Sequence, residues 1–172
     1  MTDVSQVLRQ VLERTFEDFA FMFIEPVPVA QVLEADAQTY VRAEIRYAAE
    51  GERGELTAVA SMDFCNSLSR NVLGLDMDQD VDPGTAESAL SELVNVACGS
   101  LAEALYGAEE AVDLEPAGYE LGTSQEWREL MDAHPTLVLL VDDYPVGFRL
   151  RQIQGAAGDA GQKGTGEGGC EA

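Results

Sequence analysis

Apolar residues first recur at helical spacing. Val4, Val7, Leu8, Val11, Leu12, Phe16 and Phe19 follow an i, i+3, i+4, i+7 pattern, which places them on one face and predicts a helix of about five turns. Asp3 or Ser5 is available to cap its start, and Pro26 blocks its continuation. The segment VPVAQVLEAD is then expected as a first strand, and TYVRAEIRYAAEGERGELTAVASM as a hairpin. One arm carries Tyr40, Ala43, Ile45 and Tyr47, the other runs from Leu56 to Met62, and Gly51 to Gly54 turns between them. DFCNSLSRNVLGL reads as a short helix ending at Gly74. An acidic loop, DMDQDVDPG, then delivers the chain to a long helix from about Pro83 to Tyr106. Asp82 serves that helix as N-cap, Pro83 as a first-turn residue and Gly107 as the residue just past its end.

Beyond the long helix, EEAVDLEPAGYELG reads as irregular or extended and SQEWRELMDA as a helical turn or two. TLVLLVDDYPVGFRLRQI is the clearest hairpin, an apolar strand from Thr136 to Val141 and an alternating one from Val146 to Ile153 around Asp142–Pro145. Strands joined by hairpins, with two long helices set apart in sequence, predict an α+β fold. Its sheet is mostly antiparallel and is packed by the two long helices. Residues 1–153 form one domain on this reading, and 154–172, rich in glycine and without apolar anchors, a flexible acidic tail.

Composition narrows the function. The 172 residues carry a formal net charge of −22, which repels phosphate backbones and anionic lipid, so nucleic acid and membrane surfaces are not expected partners. The N-terminal MTDVSQVLRQ shows no charged-then-apolar signal and no apolar run reaches the length of a span, so the chain is expected in the cytoplasm. Three cysteines, Cys65, Cys98 and Cys170, are too far apart for a C-x-x-C pair and fit a reducing compartment. Cys98 reads as a small core residue, whereas Cys170 has no evident role. One lysine, Lys163, and one histidine, His134, leave neither a phosphate-binding lysine loop nor a histidine pair for a metal. His134 reads as structural or surface. Asp76, Asp78, Asp80 and Glu87 fall at positions 1, 3, 5 and 12 of a calcium-type loop, but Val81 stands where the sharp turn needs glycine. That segment reads as a solvated acidic loop, with no metal site. The aromatic end of the first helix, FEDFAFMF, reads as core or dimer contact.

The long helix carries two messages. With Leu90 at zero and a turn of about 100° per residue, Ala86, Leu93, Val94, Ala97, Leu101 and Ala104 fall within about 60° of it. Ser88, Glu92, Asn95, Gly99 and Tyr106 lie roughly opposite. Common polar residues on the far side of a helix are ordinarily solvated surface. Two choices on this strip nonetheless disfavour the helix: asparagine is a poor interior residue, and glycine costs about 1 kcal/mol relative to alanine. Gly99 and Ala102 beside Asn95 leave room for another surface to approach. A carboxylate can pair with a partner's lysine there, and a carboxamide can hold a water.

The spacing Ser88-x3-Glu92-x2-Asn95 resembles the [D/S]-x3-E-x2-N signature of the CheC/CheX/FliY phosphatases of bacterial chemotaxis. ELVNVACGSL is similar to the E-x-x-N-x-x-x-G segment of CheX-like helices. GERGELTAVASMDFCNSLSRNVLG is similar to the strand, turn, strand and helix upstream of it, and FEDFAFMFIEP to the opening helix of CheC-like proteins. The resemblance spans roughly Val4 to Ile153 and implies a CheX-like domain. It implies a phosphatase that hydrolyses the aspartyl phosphate of a CheY-type response regulator, in chemotaxis or other two-component signalling. Asn95 would orient the attacking water and Glu92 would pair with the regulator's lysine, with Ser88 and Gly99 lining the partner-binding strip. The resemblance implies no cofactor of the chain's own, because Mg2+ belongs to the partner, and it implies a homodimer built through the sheets. The second motif of CheC falls here on Glu13-x3-Glu17-x2-Ala20, with alanine in place of asparagine, which implies a single-site, CheX-like protein. A downstream proline motif of many members is also missing, with Pro116 as a possible remnant. A non-catalytic module of the same fold, binding a receiver domain or self-associating, is the alternative reading.

Overall fold

The computed structural model describes residues 3–27, 37–133 and 137–153. Helix α1 (Val4–Ala20) starts where Asp3 accepts from the Ser5 N–H at 3.0 Å, which satisfies a donor that the first turn leaves free. It ends at Phe21 in the left-handed region, φ 54°, where the Met22 N–H folds back onto the Phe16 carbonyl at 3.0 Å. The following strand β1 is Ile24–Pro26, just ahead of the strand expected at VPVAQVLEAD, most of which lies outside the described residues.

Strands β2 (Tyr40–Ala49) and β3 (Glu52–Ser61) form the expected hairpin. Its turn is tighter than Gly51 to Gly54. Glu50 and Gly51 alone make it, at φ 50° and 81°, the double left-handed step whose twist matches paired strands. Gly54 instead sits in the ladder opposite Tyr47, and the Tyr47 ring occupies the space a Cβ there would need. Helix α2 (Met62–Leu73) follows directly, capped by Ser61 and closed by Gly74 at φ 65°. Helix α3 (Pro83–Tyr106) has the expected bounds, with Asp82 accepting from the Thr85 N–H at 3.3 Å and Gly107 at φ 95°.

Two short strands, β4 (Asp113–Leu114) and β5 (Gly118–Gly122), both pair with β2. Helix α4 (Ser124–Asp132) opens on a capping box between Thr123 and Glu126. The last hairpin joins β6 (Leu137–Val141) to β7 (Tyr144–Ile153). Its turn is Asp142–Asp143, at φ 46° and 70°. Strand β7 thus begins before Val146 and includes Pro145, which pairs with Leu140 and lies one residue beyond the last β3–β7 pair, Ala60 with Val146.

The seven strands form one sheet in the order β1-β6-β7-β3-β2-β4, with β5 also against β2, and every described pairing is antiparallel. Helices α1, α2 and α3 pack on one face, over Val41, Ala43, Ile45, Leu56, Ala58, Val146 and Phe148. Phe16 anchors that core, making edge-on contacts with the Phe64 and Phe148 rings at 6.2 and 6.1 Å. Cys65 and Cys98 are fully buried in the same layer, and desolvation pushes both thiols up to about 12. The aromatic end of α1 divides: Phe16 and Met22 are buried, whereas Phe21 and Phe23 are 72% and 82% exposed.

Among the described residues, α4 covers part of the other face together with Val27 and Ala37: Trp127 packs on Tyr40 with ring centroids 5.7 Å apart, and Leu130 and Met131 cover Val59 and Val138. The remainder of that face carries an ionic lattice. Glu55, itself buried, receives Arg46 Nε at 3.2 Å and Arg151 Nη2 at 3.0 Å, and Glu44 bridges Arg42 and Arg46. Burial alone would raise the Glu55 carboxyl, but the Arg46 hydrogen bond and the Arg151 charge outweigh it and hold it below the usual carboxylate range. His134, Pro135, Thr136 and the segment 154–172 lie outside the described residues.

Two predictions arise from this packing. Phe16→Ala removes the ring that joins α1 to α2 and the sheet, and urea titration will read a loss of about 3–5 kcal/mol. Because the folded-state Glu55 carboxyl sits below its unfolded value, its contribution is complete above the unfolded pKa and is lost as pH falls through the folded one. Glu55→Gln will therefore destabilise the protein at pH 7 by about 1–3 kcal/mol, and paired melting curves will converge with the parent in strong acid.

Candidate functional site

Helix α3 is buried on more than one stripe. Ala86, Leu90, Leu93, Val94, Ala97 and Leu101 face the sheet, α1 and α2 as the spacing predicts, and Ser91, Cys98 and Ala102 widen the buried arc toward β5. Ala104, assigned to the buried stripe by its angle, is exposed, because it lines a solvent-open groove beside Val11 and Arg14 of α1. Tyr106 is not free surface. Its ring packs on Tyr47 with centroids 6.2 Å apart, and its hydroxyl donates to Glu52 Oε2 at 3.1 Å. Burial and these two neighbours raise the Tyr106 hydroxyl well above its usual range. What remains open on α3 is a strip through Glu92, Val96, Ser100 and Glu103.

Glu92 is exposed, and among the described residues it makes no hydrogen bond or ion pair. Beside it lies a cavity of about 260 Å³ between α2 and α3, lined by Phe19, Val72, Leu73, Ala89, Ser88 and Glu92. Ser88 turns its hydroxyl inward, donating to the Thr85 carbonyl at 3.1 Å on its own helix. The carboxylate is therefore the polar group this corner offers to a partner, next to an apolar recess.

Asn95, one turn further on, lies at the boundary between the open strip and the edge of the sheet. Its Oδ1 accepts the Ala117 N–H at 3.0 Å. Its Nδ2 makes no hydrogen bond among the described residues. Gly99 is half-buried beside the same edge, and a Cβ there would first meet Leu114 Cδ1 at 4.0 Å. Ala102 is buried. The room expected next to Asn95 is bordered on this side by the chain's own β4–β5 segment. Sequence spacing did not reveal this contact, for Ala117 is twenty-two residues away. The one available signal was Pro116, which interrupts an extended run.

The first helix has no comparable site. Ala20, at the place where a second asparagine would fall, is buried in the core, while Glu17 is exposed. Among the described residues, no group of three or more His, Cys, Asp or Glu is placed to hold a metal ion. No described helix is long and apolar enough to cross a membrane.

No family model matches the chain, and no curated protein matches it by sequence. Solved structures do match. The chemotaxis protein CheX from Vibrio vulnificus superposes with a TM-score of 0.64 at 11% identity, covering 88% of this chain and 97% of that one. CheX in a CheX–CheY–BeF3–Mg2+ complex from Borrelia burgdorferi gives 0.61 at 12% identity, over 88% and 99%. FliY from Thermotoga maritima gives 0.53 at 14%, over 86% and 84%. The fold is that of the CheC/CheX/FliY proteins: an antiparallel sheet with its long helices on one face. In this chain the carboxylate–carboxamide spacing occurs on α3, and α1 carries Ala20 where a second carboxamide would stand.

The two candidate residues, Glu92 and Asn95, differ in what they do for the fold. Asn95→Ala leaves a partly buried N–H without its acceptor and will cost about 1 kcal/mol. Glu92→Ala, at an exposed position without a partner, will stay within about 0.5 kcal/mol of the parent. Thermal unfolding of both variants checks the contrast.

Proposed function

We propose that this protein is a phosphatase of phosphorylated receiver domains, acting on a CheY-type response regulator in chemotaxis or a related two-component pathway. The observation that carries the reading is the pair on α3: an exposed carboxylate at Glu92 and, one helical turn away, a carboxamide at Asn95 whose oxygen is held by Ala117, with neither the carboxylate nor the NH2 group hydrogen-bonded among the described residues. The fold supports it, since one of the matching structures is a CheX bound to CheY.

The chemistry needs little from this chain. An aspartyl phosphate is a labile acyl phosphate, and its hydrolysis forms a bond from a water oxygen to phosphorus while the bond to the aspartyl oxygen breaks and the carboxylate leaves. Mg2+ held by the regulator supplies the countercharge for the phosphoryl oxygens. Glu92 pairs with a lysine of the regulator and sets the angle of approach. Asn95 enters beside the phosphoryl group and holds the attacking water in line. The contribution is one of position and electrostatic fit. Ser88 and Gly99 border the contact without reacting. The protein works in the cytoplasm as a homodimer, for which the sheet offers, among the described residues, edge strands at β1 and at β4–β5.

A second reading has an observation of its own. The Asn95 carbonyl is already engaged by Ala117, as an asparagine kept only for the fold would be. A receiver-binding module without catalysis would then use Glu92 and the recess beside it.

Phosphate release from a magnesium-loaded phospho-regulator separates the two. The phosphatase will accelerate loss of phosphate, and both Glu92→Ala and Asn95→Ala will slow it by roughly 10–100-fold. A protein that binds the regulator and leaves its phosphate lifetime unchanged is the module, and the phosphatase reading then fails.

A further inference from the structure

We infer that the main chain at Ala117 is a positioning element for the site: it holds the Asn95 carboxamide by its oxygen and so presents the amide NH2 to an incoming partner. The inference rests on the reading of Asn95 as a site residue and adds to it the group that aims the side chain and the chemistry it offers, a donor for an anionic oxygen or a bound water.

The edge of the sheet shows how the contact is built. Strand β4 pairs Leu114 with Tyr47, and β5 pairs Gly118 with Glu44. Between these pairs, residues 45 and 46 of β2 face 115, 116 and 117, so the edge carries one residue more than its partner. That is a bulge, and such insertions bend an edge and redirect what lies on it. Glu115 keeps its ladder bond, its N–H donating to the Arg46 carbonyl at 2.9 Å. Pro116 has no N–H to give. Ala117 turns its N–H out of the ladder and onto Asn95 Oδ1 at 3.0 Å.

A backbone N–H can only donate, so the atom facing it is the amide oxygen and the assignment of Asn95 is fixed by chemistry. Because the carboxamide is planar, fixing Oδ1 fixes Nδ2 on the other side, where it makes no hydrogen bond among the described residues. A free asparagine side chain on a helix surface would sample both orientations and several rotamers. Holding one of them removes that entropy before the partner arrives. A lysine at the same place, better for the helix, has no acceptor for that N–H, and a glutamate has an acceptor but no NH2 to present.

Three measurements on the full chain test the inference. In the 15N-labelled protein, Ala117 amide exchange will be about tenfold faster in Asn95→Ala than in the parent. Equal rates would mean that no such bond holds the side chain, and the inference falls. Asn95→Asp keeps an oxygen for Ala117 and lacks the NH2. It will restore slow exchange and not phosphate release, whereas parental release by this variant overturns the donor role. Ala117→Pro deletes the N–H and will lower kcat about tenfold with affinity for the beryllofluoride-activated receiver unchanged, while Ala117→Gly, which keeps the N–H, stays within about twofold. Parental kcat in a folded Ala117→Pro protein also overturns it. If the proline variant does not fold, exchange and the aspartate variant decide. If the parent releases phosphate from no regulator, the phosphatase reading fails, and the exchange rates alone then support or overturn the positioning.

Discussion

Helix α3 is gripped on three sides, and the rest of the molecule is arranged around that constraint. Leu90, Leu93, Val94, Ala97 and Leu101 press it onto the sheet and against α1 and α2, while Ser91, Cys98 and Ala102 close the flank toward β5. A helix of twenty-four residues so enclosed has little freedom to rotate or slide, since either movement would expose apolar surface at about 25 cal/mol per Å². The open strip through Glu92 therefore inherits the rigidity of the core beneath it. A group meant to meet a reacting centre on another protein gains from that rigidity, because misplacement by a fraction of an ångström weakens any effect that depends on alignment.

The two ends of the sheet serve different purposes. Toward β1, the Asp142–Asp143 turn reaches across to the start of the strand: the Phe23 N–H donates to Asp142 Oδ1 at 3.1 Å and the Asp142 N–H to the Phe23 carbonyl at 3.0 Å. That reciprocal pair holds the link after α1 in an open, aromatic-bearing conformation. Toward β4 and β5, the edge is broken and bent, and part of its hydrogen bonding is diverted to α3. The face opposite α1–α3 binds its charges to one another, so a chain of net charge −22 keeps several of its few arginines inside one lattice with Glu44 and Glu55.

Local signals were enough for much of this. Asp82, Pro83 and Gly107 bounded α3 because caps act within one helical turn, and the hydrophobic spacing of α1 and α2 located their buried faces. Turns were harder. Gly54 looked like part of a turn because glycine usually is, but the reason for it is the Tyr47 ring across the strand, which no local pattern reveals. Pro145 likewise looked like turn chemistry and proved to be strand, tolerated one residue beyond the last pair of β7 with β3. On α3, angle alone assigned Ala104 to the core and Tyr106 to the surface; burial depends on which neighbours reach the helix at each turn, and these are distant in sequence. Glu92 and Asn95 were legible as one polar line. That Asn95 is tied to Ala117, while Glu92 is free, was not, since the tie comes from a bulge formed by pairing with β2.

The buried thiols have a consequence of a different kind. Nucleophilic attack by cysteine needs the thiolate, and Cys65 and Cys98 are held as neutral thiols behind a packed helical layer. Neither has reactivity to offer while the core is closed, so an oxidant or alkylating probe reaches them only during excursions in which α2 or α3 lifts from the sheet. The two residues are a built-in clock for the opening of the layer that carries the site, one that runs without any label being added to the surface.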